Sequence, residues 1–512
     1  MNRLVVIGLD SADAELVDRW VAEGDLPTFT RLRSEGAWGR LTTSAEYMHV
    51  SAWPTLYTGV GPGTHGLYHA YQTRVGMRGV ERARPDRCGS PAWWQDLDRA
   101  GRRTVVMDAF MTAPLEPFGG IQILEYGTWT WFGSPTSRPA SCLRQIVKKF
   151  GPYPAPEHLH VLEVPDPVWF RDRLVEGVEK KTEIIEWLIA RNDWDALFVT
   201  YGEPHGAGHY LWHHDDRDYP ATTHRTPAAP HPVRDVYMAL DRGIARILDT
   251  LDDDVTVLVI SGDGMGPNHA APQHIPEVLH RLGLFHGSGV GQPDPARPEG
   301  RRGLAGTVRA MIPLPLRQVV SRCMPREMHY KLSMRWANEA VDWDRTRVFM
   351  IPNSNEAYLR VRRTGRDPGG VETPGSSAEL EDLLVQTGVS LQNPDTGAAA
   401  SARVIRVDET LAGPRRDDLP DVIIAWNESA AIGRRLSGDG FDVVEGMAGF
   451  ETAPFYTGNH RPNAFVAARG PTVSPGSSIS GDIVDLAPTA LALLGVEPPR
   501  RHIGSPWRAV TG

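Results

Sequence analysis

The alternation of apolar and polar positions along the chain predicts a series of buried strands. Short apolar runs rich in valine and isoleucine are separated by longer segments in which apolar residues recur every three or four positions. A continuous apolar run bounded by turn-forming residues is typical of a strand that is buried on both faces of a sheet. Such runs predict strands at residues 4–9, 103–109, 196–200, 255–260, 348–351, 357–361, 402–407, 420–425 and 464–467.

Helices are predicted between most of these strands. Apolar spacing and flanking turn residues place them at residues 12–36, 91–101, 174–191, 233–251, 275–283, 378–384 and 483–494, with Asp172 as a cap near the start of the third. Residues from about 115 to 170 indicate a long cap or loop region, and residues 201–216 indicate a loop. Strands alternating with helices predict an α/β fold with a mostly parallel sheet covered by helices on both faces, to which the strand at 420–425 is expected to return.

Residues 49–69 form the stretch around which the rest of the chain is organised. It begins with the polar residues His49 and Ser51, continues with an apolar run that contains Trp53 and Leu56, and ends in a glycine-rich segment. Pro54 is compatible with the first turn of a helix. The pattern predicts a loop, a short buried helix and a second loop. Because a helix N-terminus attracts anions, a reactive side chain just before this helix would face one.

Composition and charge describe an ordinary globular chain. The 512 residues include 41% hydrophobic and 23% charged residues, and the net charge of −9 argues against a nucleic-acid partner. Cys88, Cys142 and Cys323 show no disulfide or metal-binding spacing. The N-terminus carries no signal-peptide pattern, and no apolar stretch reaches the roughly 18 residues that span a membrane. We therefore expect a cytoplasmic protein with no membrane partner.

Three short motifs within residues 49–69 carry a resemblance to a known family: Ala-Trp at 52–53, Thr-Gly at 58–59 and Pro-Gly-Thr-His-Gly at 62–66. They resemble the nucleophile segment of the alkaline phosphatase superfamily. The closest branches are the type I phosphodiesterase/nucleotide pyrophosphatase-like proteins and a phosphohydrolase/phosphomutase group. Residues 482–495 also resemble the C-terminal helix of the latter group. The resemblance covers nearly the whole chain and implies an alkaline phosphatase-like α/β fold with a cap insertion.

The same resemblance implies a division of the chain. The first part of the core would cover residues 1–284, with a loop or cap region at about 115–170. A helical insertion at 285–345 and a cap-like α/β segment at 346–418 would follow. Residues 419–512 would complete the core.

The resemblance also implies a set of metal ligands. Asp10, His209 and His460 match ligand positions of the family, and His205 stands where relatives carry an aspartate. Two histidines four positions apart can bind one ion, and a site made of three histidines suits zinc. From the residues alone, Asp10 could instead cap the following helix, and the histidines around 205–214 could form a polar loop.

A second metal site is implied in a weakened form. The family motif Asp-His-Gly-Met is replaced here by Gly262 and Asp263 followed by glycine and methionine, so one ligand is lost and another changes from nitrogen to oxygen. This site would keep Asp10 and Asp263, although Asp263 could simply stabilise its own turn. We therefore expect one or two divalent ions per chain, with zinc preferred and manganese, iron or cobalt as alternatives.

His49 occupies the position where the family carries a threonine or serine nucleophile. An imidazole there could be a metal ligand, a general acid/base or a nucleophile. In a shifted register, Ser51 would be the nucleophile and His49 a loop residue. The sequence leaves these roles open.

Further residues suggest how a substrate could be bound. Arg360 and Arg362 lie on a predicted cap-like strand and could hold a phosphate or carboxylate, although a solvated face explains them equally well. His65 is a further candidate. The expected function is metal-dependent hydrolysis or transfer of a phosphoryl-type group of a small molecule, such as a phosphate ester, phosphodiester or phosphonate. A mutase or lyase-like enzyme with a single metal, and a non-catalytic binding protein, are the alternatives.

Overall fold

The computed structural model describes residues 2–128, 134–155, 166–216, 226–287, 338–429, 434–445 and 456–512, together with residues 328, 331, 334, 335 and 432. Most of the expected helical insertion at 285–345 lies outside these residues. The division of the chain inferred from the family resemblance stays a prediction. Within the described residues, no helix has both the length and the apolar character needed to cross a membrane.

Twenty strands occur in the described part of the chain. They are β1 (Arg3–Leu9), β2 (Ala37–Thr42), β3 (Tyr71–Gln72), β4 (Glu81–Arg82), β5 (Thr104–Met107), β6 (Ile121–Leu124), β7 (Thr136–Arg138), β8 (Ala196–Tyr201), β9 (Val255–Ser261), β10 (Gly264–Pro267), β11 (Val348–Ile351), β12 (Ala357–Val361), β13 (Ser401–Arg406), β14 (Val422–Trp426), β15 (Arg435–Gly438), β16 (Phe441–Glu445), β17 (Gly458–Arg461), β18 (Ala464–Arg469), β19 (Ser477–Ser478) and β20 (Gly481–Asp482).

The helices of the described residues lie between these strands. They are α1 (Ala14–Glu23), α2 (Pro27–Glu35), α3 (Ala52–Thr58), α4 (Pro62–His65), α5 (Trp93–Arg99), α6 (Ala140–Phe150), α7 (Pro167–Arg191), α8 (Glu203–Asp215), α9 (Pro232–Asp249), α10 (Ile275–Arg281), α11 (Pro374–Ser390), α12 (Val407–Thr410), α13 (Leu486–Leu493) and α14 (Arg508–Thr511). A single 3-10 turn at His49–Ser51 leads directly into α3.

A ten-stranded sheet forms the centre of the molecule. Its order is β19-β2-β18-β9-β1-β8-β5-β6-β7, with β20 also paired to β2. The five strands β9, β1, β8, β5 and β6 run parallel, while β18 pairs antiparallel with both β9 and β2. The α/β fold with a mostly parallel sheet is confirmed, and an antiparallel portion flanks the parallel centre.

Side chains of β1 show why both faces of this sheet are covered. Val5 and Ile7 enter a core formed with α1, α2, α7 and α9, whereas Leu4 and Val6 enter a second core formed with α3, α5 and α13. Successive side chains of a strand point to opposite faces, so an uninterrupted apolar run fits a strand between two helical layers.

A second sheet lies apart from the first. Its four strands have the order β11-β12-β14-β13, and α11 packs against it. Strand β14 therefore belongs to this smaller sheet, and the expectation that residues 420–425 return to the main sheet was wrong. Val422, Ile423 and Ile424 are all buried, which makes the strand indistinguishable by pattern from one in the parallel centre.

Four other expectations about secondary structure need correction. The helix expected at 12–36 is two helices, because Gly24 ends α1 in a left-handed conformation with φ 86°. The region expected to be a cap or loop at about 115–170 contains α6 and two strands of the main sheet, β6 and β7. Helix α7 begins at Pro167 and is capped by Asp166, not Asp172. The expected loop at 201–216 contains α8, which is decisive for the site.

Candidate functional site

The candidate site lies at the carboxyl ends of three adjacent parallel strands. Asp10 follows β1, the helix α8 begins just after β8, and Asp263 lies two residues beyond the end of β9. Parallel strands deliver their carboxyl ends to the same edge of a sheet, which is where α/β proteins bind ligands. Residues far apart in the sequence therefore meet here.

Helix α8 brings two of the predicted ligands together. Its first turn contains Pro204, a position where the missing N–H of proline is tolerated. His205 and His209 are one turn apart on the helix, and their Nε2 atoms lie 3.0 Å from each other. A side chain at Gly208 would meet Met265, since an added Cβ would lie 2.6 Å from its Cγ. Glycine at this position therefore lets β10 approach the helix.

The third histidine comes from a two-stranded ribbon. Strand β17 pairs antiparallel with β10, and Met265 lies opposite His460 in the register. The side-chain ligand atoms of His205, His209 and His460 all lie within 4.8 Å of one another. The structure thus brings together the three histidines that the sequence analysis assigned to one metal site.

The environment of these histidines suits metal ligation. Burial lowers the pKa of His209 to about 4 and is the main reason why the pKa of His460 falls well below its ordinary value. Neutral imidazole, the form that binds metals, is therefore present at neutral pH. The Nδ1 atom of His209 lies 2.9 Å from the carbonyl oxygen of Gly458, which leaves Nε2 for a ligand. The three residues fit a divalent ion of the zinc type.

Two carboxylates adjoin the histidines. Asp263 Oδ2 lies 2.7 Å from His460 Nδ1, while its Oδ1 atom is buried with no hydrogen-bond partner among the described residues. Asp10 Oδ1 accepts a 2.7 Å hydrogen bond from Trp53 Nε1, and its Oδ2 lies 3.9 Å from His205 Nδ1. Burial raises the pKa of Asp10 to about 6, and burial together with the charge of Asp10 raises that of Asp263. A cation bound nearby would stabilise the ionised form of both buried carboxylates.

His49 is buried at the entrance to α3, beside the three histidines. Its ring stacks on that of His460, with centroids 4.3 Å apart and an angle of 25° between the planes. On the other side, His49 Nδ1 lies 3.0 Å from Glu356 Oε2. Burial raises the pKa of Glu356, but its contacts with His49 and Asn353 together outweigh burial, so the pKa is below its ordinary value.

The hydroxyls near His49 are directed away from this cluster. Ser51 Oγ donates to the carbonyl oxygen of Met48 at 2.6 Å and lies 2.8 Å from Ser44 Oγ. Thr55 Oγ1 lies 3.0 Å from His65 Nε2. These contacts favour the register that places His49, rather than Ser51, in the site.

A buried ion cluster lies beneath α8. Lys181 Nζ is 3.2 Å from Asp108 Oδ2 and 3.7 Å from Glu203 Oε1, and all three side chains are at most 1% exposed. Tyr153 donates a 2.7 Å hydrogen bond to Glu203, the first residue of α8. This cluster fixes the start of the helix that carries His205 and His209.

The three residues predicted to bind substrate have other contacts. Arg360 Nη2 lies 2.8 Å from Asp367 Oδ1, and Arg362 donates to the carbonyl oxygens of Thr346, Pro368 and Gly369. These guanidinium groups are used within the smaller sheet and its loops, and none of these contacts reaches the three histidines. His65 is fully buried, and burial lowers its pKa to about 3. The structure does not bring these residues to the three clustered histidines.

Two site residues escaped the sequence analysis. Ser11 Oγ lies 3.2 Å from both Asp263 Oδ2 and His460 Nδ1, and its backbone has an unusual φ of 54°. Strained residues of this kind cluster at functional sites. Glu356 reaches the site from the loop before β12. Ser11 could have been suspected from its place after Asp10, but an isolated glutamate carries no comparable signal.

Comparison with known proteins supplies the family. A family model described as type I phosphodiesterase / nucleotide pyrophosphatase matches residues 4–296, which is more than half of the 512-residue chain. The matched segment includes Asp10, His49, His205, His209 and Asp263. No curated protein sequence gives a significant match.

Two of the solved structures similar to this chain, both murine, establish the fold. The inactive threonine-to-alanine variant of murine ectonucleotide pyrophosphatase / phosphodiesterase 5 in complex with AMP has a TM-score of 0.51 and 15% identity, covering 99% of this chain and 98% of that one. The murine protein itself gives a TM-score of 0.50 and 15% identity, with coverages of 98% and 97%. Phosphonoacetate hydrolase from Sinorhizobium meliloti 1021 in complex with phosphonoformate gives 0.48 and 12%, with coverages of 96% and 95%.

Family and fold agree with the resemblance found in the sequence to the alkaline phosphatase superfamily. At these low identities the structural likeness establishes a shared fold, and the family model establishes membership. The chain belongs to the type I phosphodiesterase/nucleotide pyrophosphatase family, hydrolases that act on phosphoryl groups.

Proposed function

We propose that this protein is a metal-dependent hydrolase of a phosphoryl-type group on a small molecule, such as a phosphate ester, a phosphodiester or a phosphonate. The observation that carries the proposal is the convergence of His205, His209 and His460, whose ligand atoms lie within 4.8 Å at the edge of the sheet. Family membership supplies the reaction class. The murine structural relative is described in complex with AMP, which supports a small phosphate ester as substrate.

The three histidines would hold the ion, with zinc preferred and manganese, iron or cobalt as alternatives. When bound there, such an ion would supply Lewis-acid chemistry towards a phosphoryl oxygen. The chain's own residues fix the geometry: the carbonyl oxygen of Gly458 orients His209, and Asp263 orients His460. Asp10 and Asp263 are the residues that would hold a second ion.

His49 is proposed as the catalytic side chain. Its Nδ1 atom is engaged by Glu356, so Nε2 is the ring nitrogen left for the substrate. From there the imidazole can accept a proton from an attacking water or donate one to the leaving-group oxygen. The nearby hydroxyls of Ser51 and Thr55 are bound in the interior, which favours hydrolysis without a hydroxyl nucleophile from this segment.

The test is a steady-state comparison of the wild type with His49→Ala and His49→Thr. The full-length proteins are assayed at matched metal content with 4-nitrophenyl phosphate, bis(4-nitrophenyl) phosphate and a phosphonate monoester. Both variants should lose about a hundredfold or more in turnover, because each lacks the imidazole that moves the proton. His214→Ala is the matched control, since His214 lies on α8 outside the group of three.

The outcomes separate the alternatives. Wild-type turnover by His49→Ala would place His49 outside the chemistry. A gain of phosphatase activity in His49→Thr, or a phosphorylated hydroxyl trapped on Ser51 or Thr55, would restore a hydroxyl mechanism. An isomerised or eliminated product would support the mutase or lyase-like reading, and tight ligand binding without turnover would support a binding protein.

A further inference from the structure

The contact between His49 and Glu356 joins the core of the protein to the smaller sheet. The two residues are 307 positions apart, and both are buried. Besides the 3.0 Å contact to Oε2, His49 Nδ1 lies 3.3 Å from Glu356 Oε1. The backbone N–H of His49 also points to Oε1, at 3.4 Å. The carboxylate therefore faces the ring and the backbone of the same residue.

Glu356 is itself held in place by its own segment. Asn353 Nδ2 and the Tyr358 hydroxyl each donate a 3.0 Å hydrogen bond to Glu356 Oε2. Tyr358 is fully buried on β12, and its ring packs edge-on against Tyr68 and His69. The glutamate is thus anchored by strand β12 and by the loop that precedes it.

The same loop reaches the metal-ligand side of the site. Asn459 Nδ2 donates a 3.1 Å hydrogen bond to the carbonyl oxygen of Ser354, and Asn459 is the neighbour of His460 on β17. The His49 ring therefore lies between Glu356 on its edge and the stacked ring of His460 on its face. Two independent contacts define its orientation.

We propose that Glu356 is a positioning residue for His49. Its carboxylate accepts the Nδ1–H of the imidazole, which selects one tautomer and leaves Nε2 as the nitrogen that faces the phosphoryl group. The smaller sheet thereby completes the active site and is more than a cover over it. The catalytic part of this inference rests on the proposed function, whereas the tautomer of His49 can be measured without any reaction.

A purely structural role is the competing explanation, because removal of any buried charged partner destabilises a protein. Glu381 provides a matched control. It is a glutamate of the same segment, on α11, only 2% exposed, and it pairs with Arg363. Loss of Glu381 should disturb the smaller sheet without touching His49.

The experiment compares Glu356→Gln and Glu356→Ala with Glu381→Gln and Glu381→Ala in the full-length, metal-loaded protein. Glutamine at 356 keeps an oxygen that can accept the Nδ1–H, whereas alanine does not. We expect kcat on bis(4-nitrophenyl) phosphate to fall about ten- to a hundredfold in Glu356→Ala and less than tenfold in Glu356→Gln, with KM changed by less than about twofold. Both Glu381 variants should keep wild-type kcat.

Nitrogen NMR of the protein labelled with ¹⁵N-histidine gives the second readout, with the His49 signals assigned by their loss in His49→Gln. The wild type and Glu356→Gln should show His49 protonated at Nδ1, and Glu356→Ala should show mixed tautomers. A wild-type His49 protonated only at Nε2, or wild-type kcat in Glu356→Ala, would overturn the proposal, as would an equal loss in Glu381→Ala. If no phosphoryl ester is hydrolysed, the proposed function fails and the tautomer alone decides the role of Glu356.

Discussion

Among the described residues, the buried charged and titratable groups of the smaller sheet and those at the edge of the main sheet differ in how fully they are paired. In the smaller sheet, Arg366 contacts both carboxylate oxygens of Asp421, at 2.7 and 2.8 Å, and Arg360 binds Asp367. At the edge of the main sheet, Asp263 Oδ1 is buried without a partner among the described residues, and the rings of His205, His209 and His460 lie against one another. We call the first cluster closed, because its carboxylates are paired with arginines, and the second open, because it keeps a buried oxygen atom without a partner.

The pKa values follow this difference. Burial tends to raise the pKa of Asp421, but the hydrogen bonds and charge of Arg366 outweigh it and hold the pKa below its ordinary value. Asp10 and Asp263 have raised pKa values, because burial is not balanced by an adjacent cation. Arginines that suggested substrate binding therefore belong to a scaffold, while the open cluster keeps ligand atoms available.

The largest effect should come from removing a histidine of the open cluster. Two of the three proposed ligands remain in each of the variants His205→Ala, His209→Ala and His460→Ala. Each variant therefore loses part of the metal-binding free energy, which is roughly 10–16 kcal/mol for structural zinc sites. We expect metal affinity to fall more than about a hundredfold, measured as metal per chain after desalting. His214→Ala should retain its metal. Full metal content in any two of the three variants would show that these residues do not form one site.

In the closed cluster, Asp421→Ala should destabilise the fold and leave metal binding intact. Arg366 would remain buried with Asp367 as its remaining carboxylate partner, and loss of a partner from a buried ion pair costs up to about 3–5 kcal/mol. Urea unfolding followed by tryptophan fluorescence measures the loss. Asp395→Ala serves as the comparison, because Asp395 pairs with Arg435 but its side chain is 57% exposed. Equal stability of the two variants would contradict the assignment of the arginine cluster as scaffold.

Asp263→Asn tests the connection between the carboxylates and the histidines. Asparagine keeps the shape but removes the charge that orients His460, and loss of such an outer partner weakens metal binding about ten- to a hundredfold. Competition with a fluorescent chelator measures the change. Asp241→Asn is the control, since Asp241 is equally buried but accepts hydrogen bonds from Thr28 and Phe29. Unchanged metal affinity in Asp263→Asn would indicate that Asp263 only stabilises its own turn.

The smallest effect is expected for an exposed pair. Arg246 contacts Glu186 at 2.6 Å, with side chains 45% and 27% exposed. Arg246→Gln should change the free energy of unfolding by less than about 1 kcal/mol, because water screens the pair. Urea unfolding at low and high salt checks this value. A loss as large as that of Asp421→Ala would remove the distinction between buried and exposed arginines.

The strands of the parallel centre were predictable because burial on both faces leaves a direct mark on the sequence. Strand β1 begins one residue before the predicted run and ends with it, while β8 and β9 begin with their predicted runs and end one residue after them. Helix α8 was missed because glycine and histidine interrupt any apolar period. Its helical state comes from packing against α7 and α9, a tertiary contribution that local propensity does not contain.

The candidate metal ligands could be named because they follow strand ends or match family motifs, as Asp10 and His460 do. Their convergence, and the hydrogen bond that ties His460 to Asp263, depended on the pairing of β10 with β17. Arg360 and Arg362 show the opposite case. Their positive charge was visible, but the partners that use it, such as Asp367 and the carbonyl oxygen of Thr346, become neighbours only in the folded segment.

The pairing of α8 with β17 has a consequence for the topology of the chain. His209 meets the carbonyl oxygen of Gly458 across 249 positions of sequence. A crosslink over a loop of that length restricts the unfolded chain by about 5 kcal/mol of closure entropy. One turn of α8 carries both His205 and His209. In contrast, His460 joins them only after the chain between α8 and β17, which includes the smaller sheet, has folded. An ion bound by all three would therefore crosslink α8 to β17, and its binding would show that these two distant parts of the chain have come together in the folded protein.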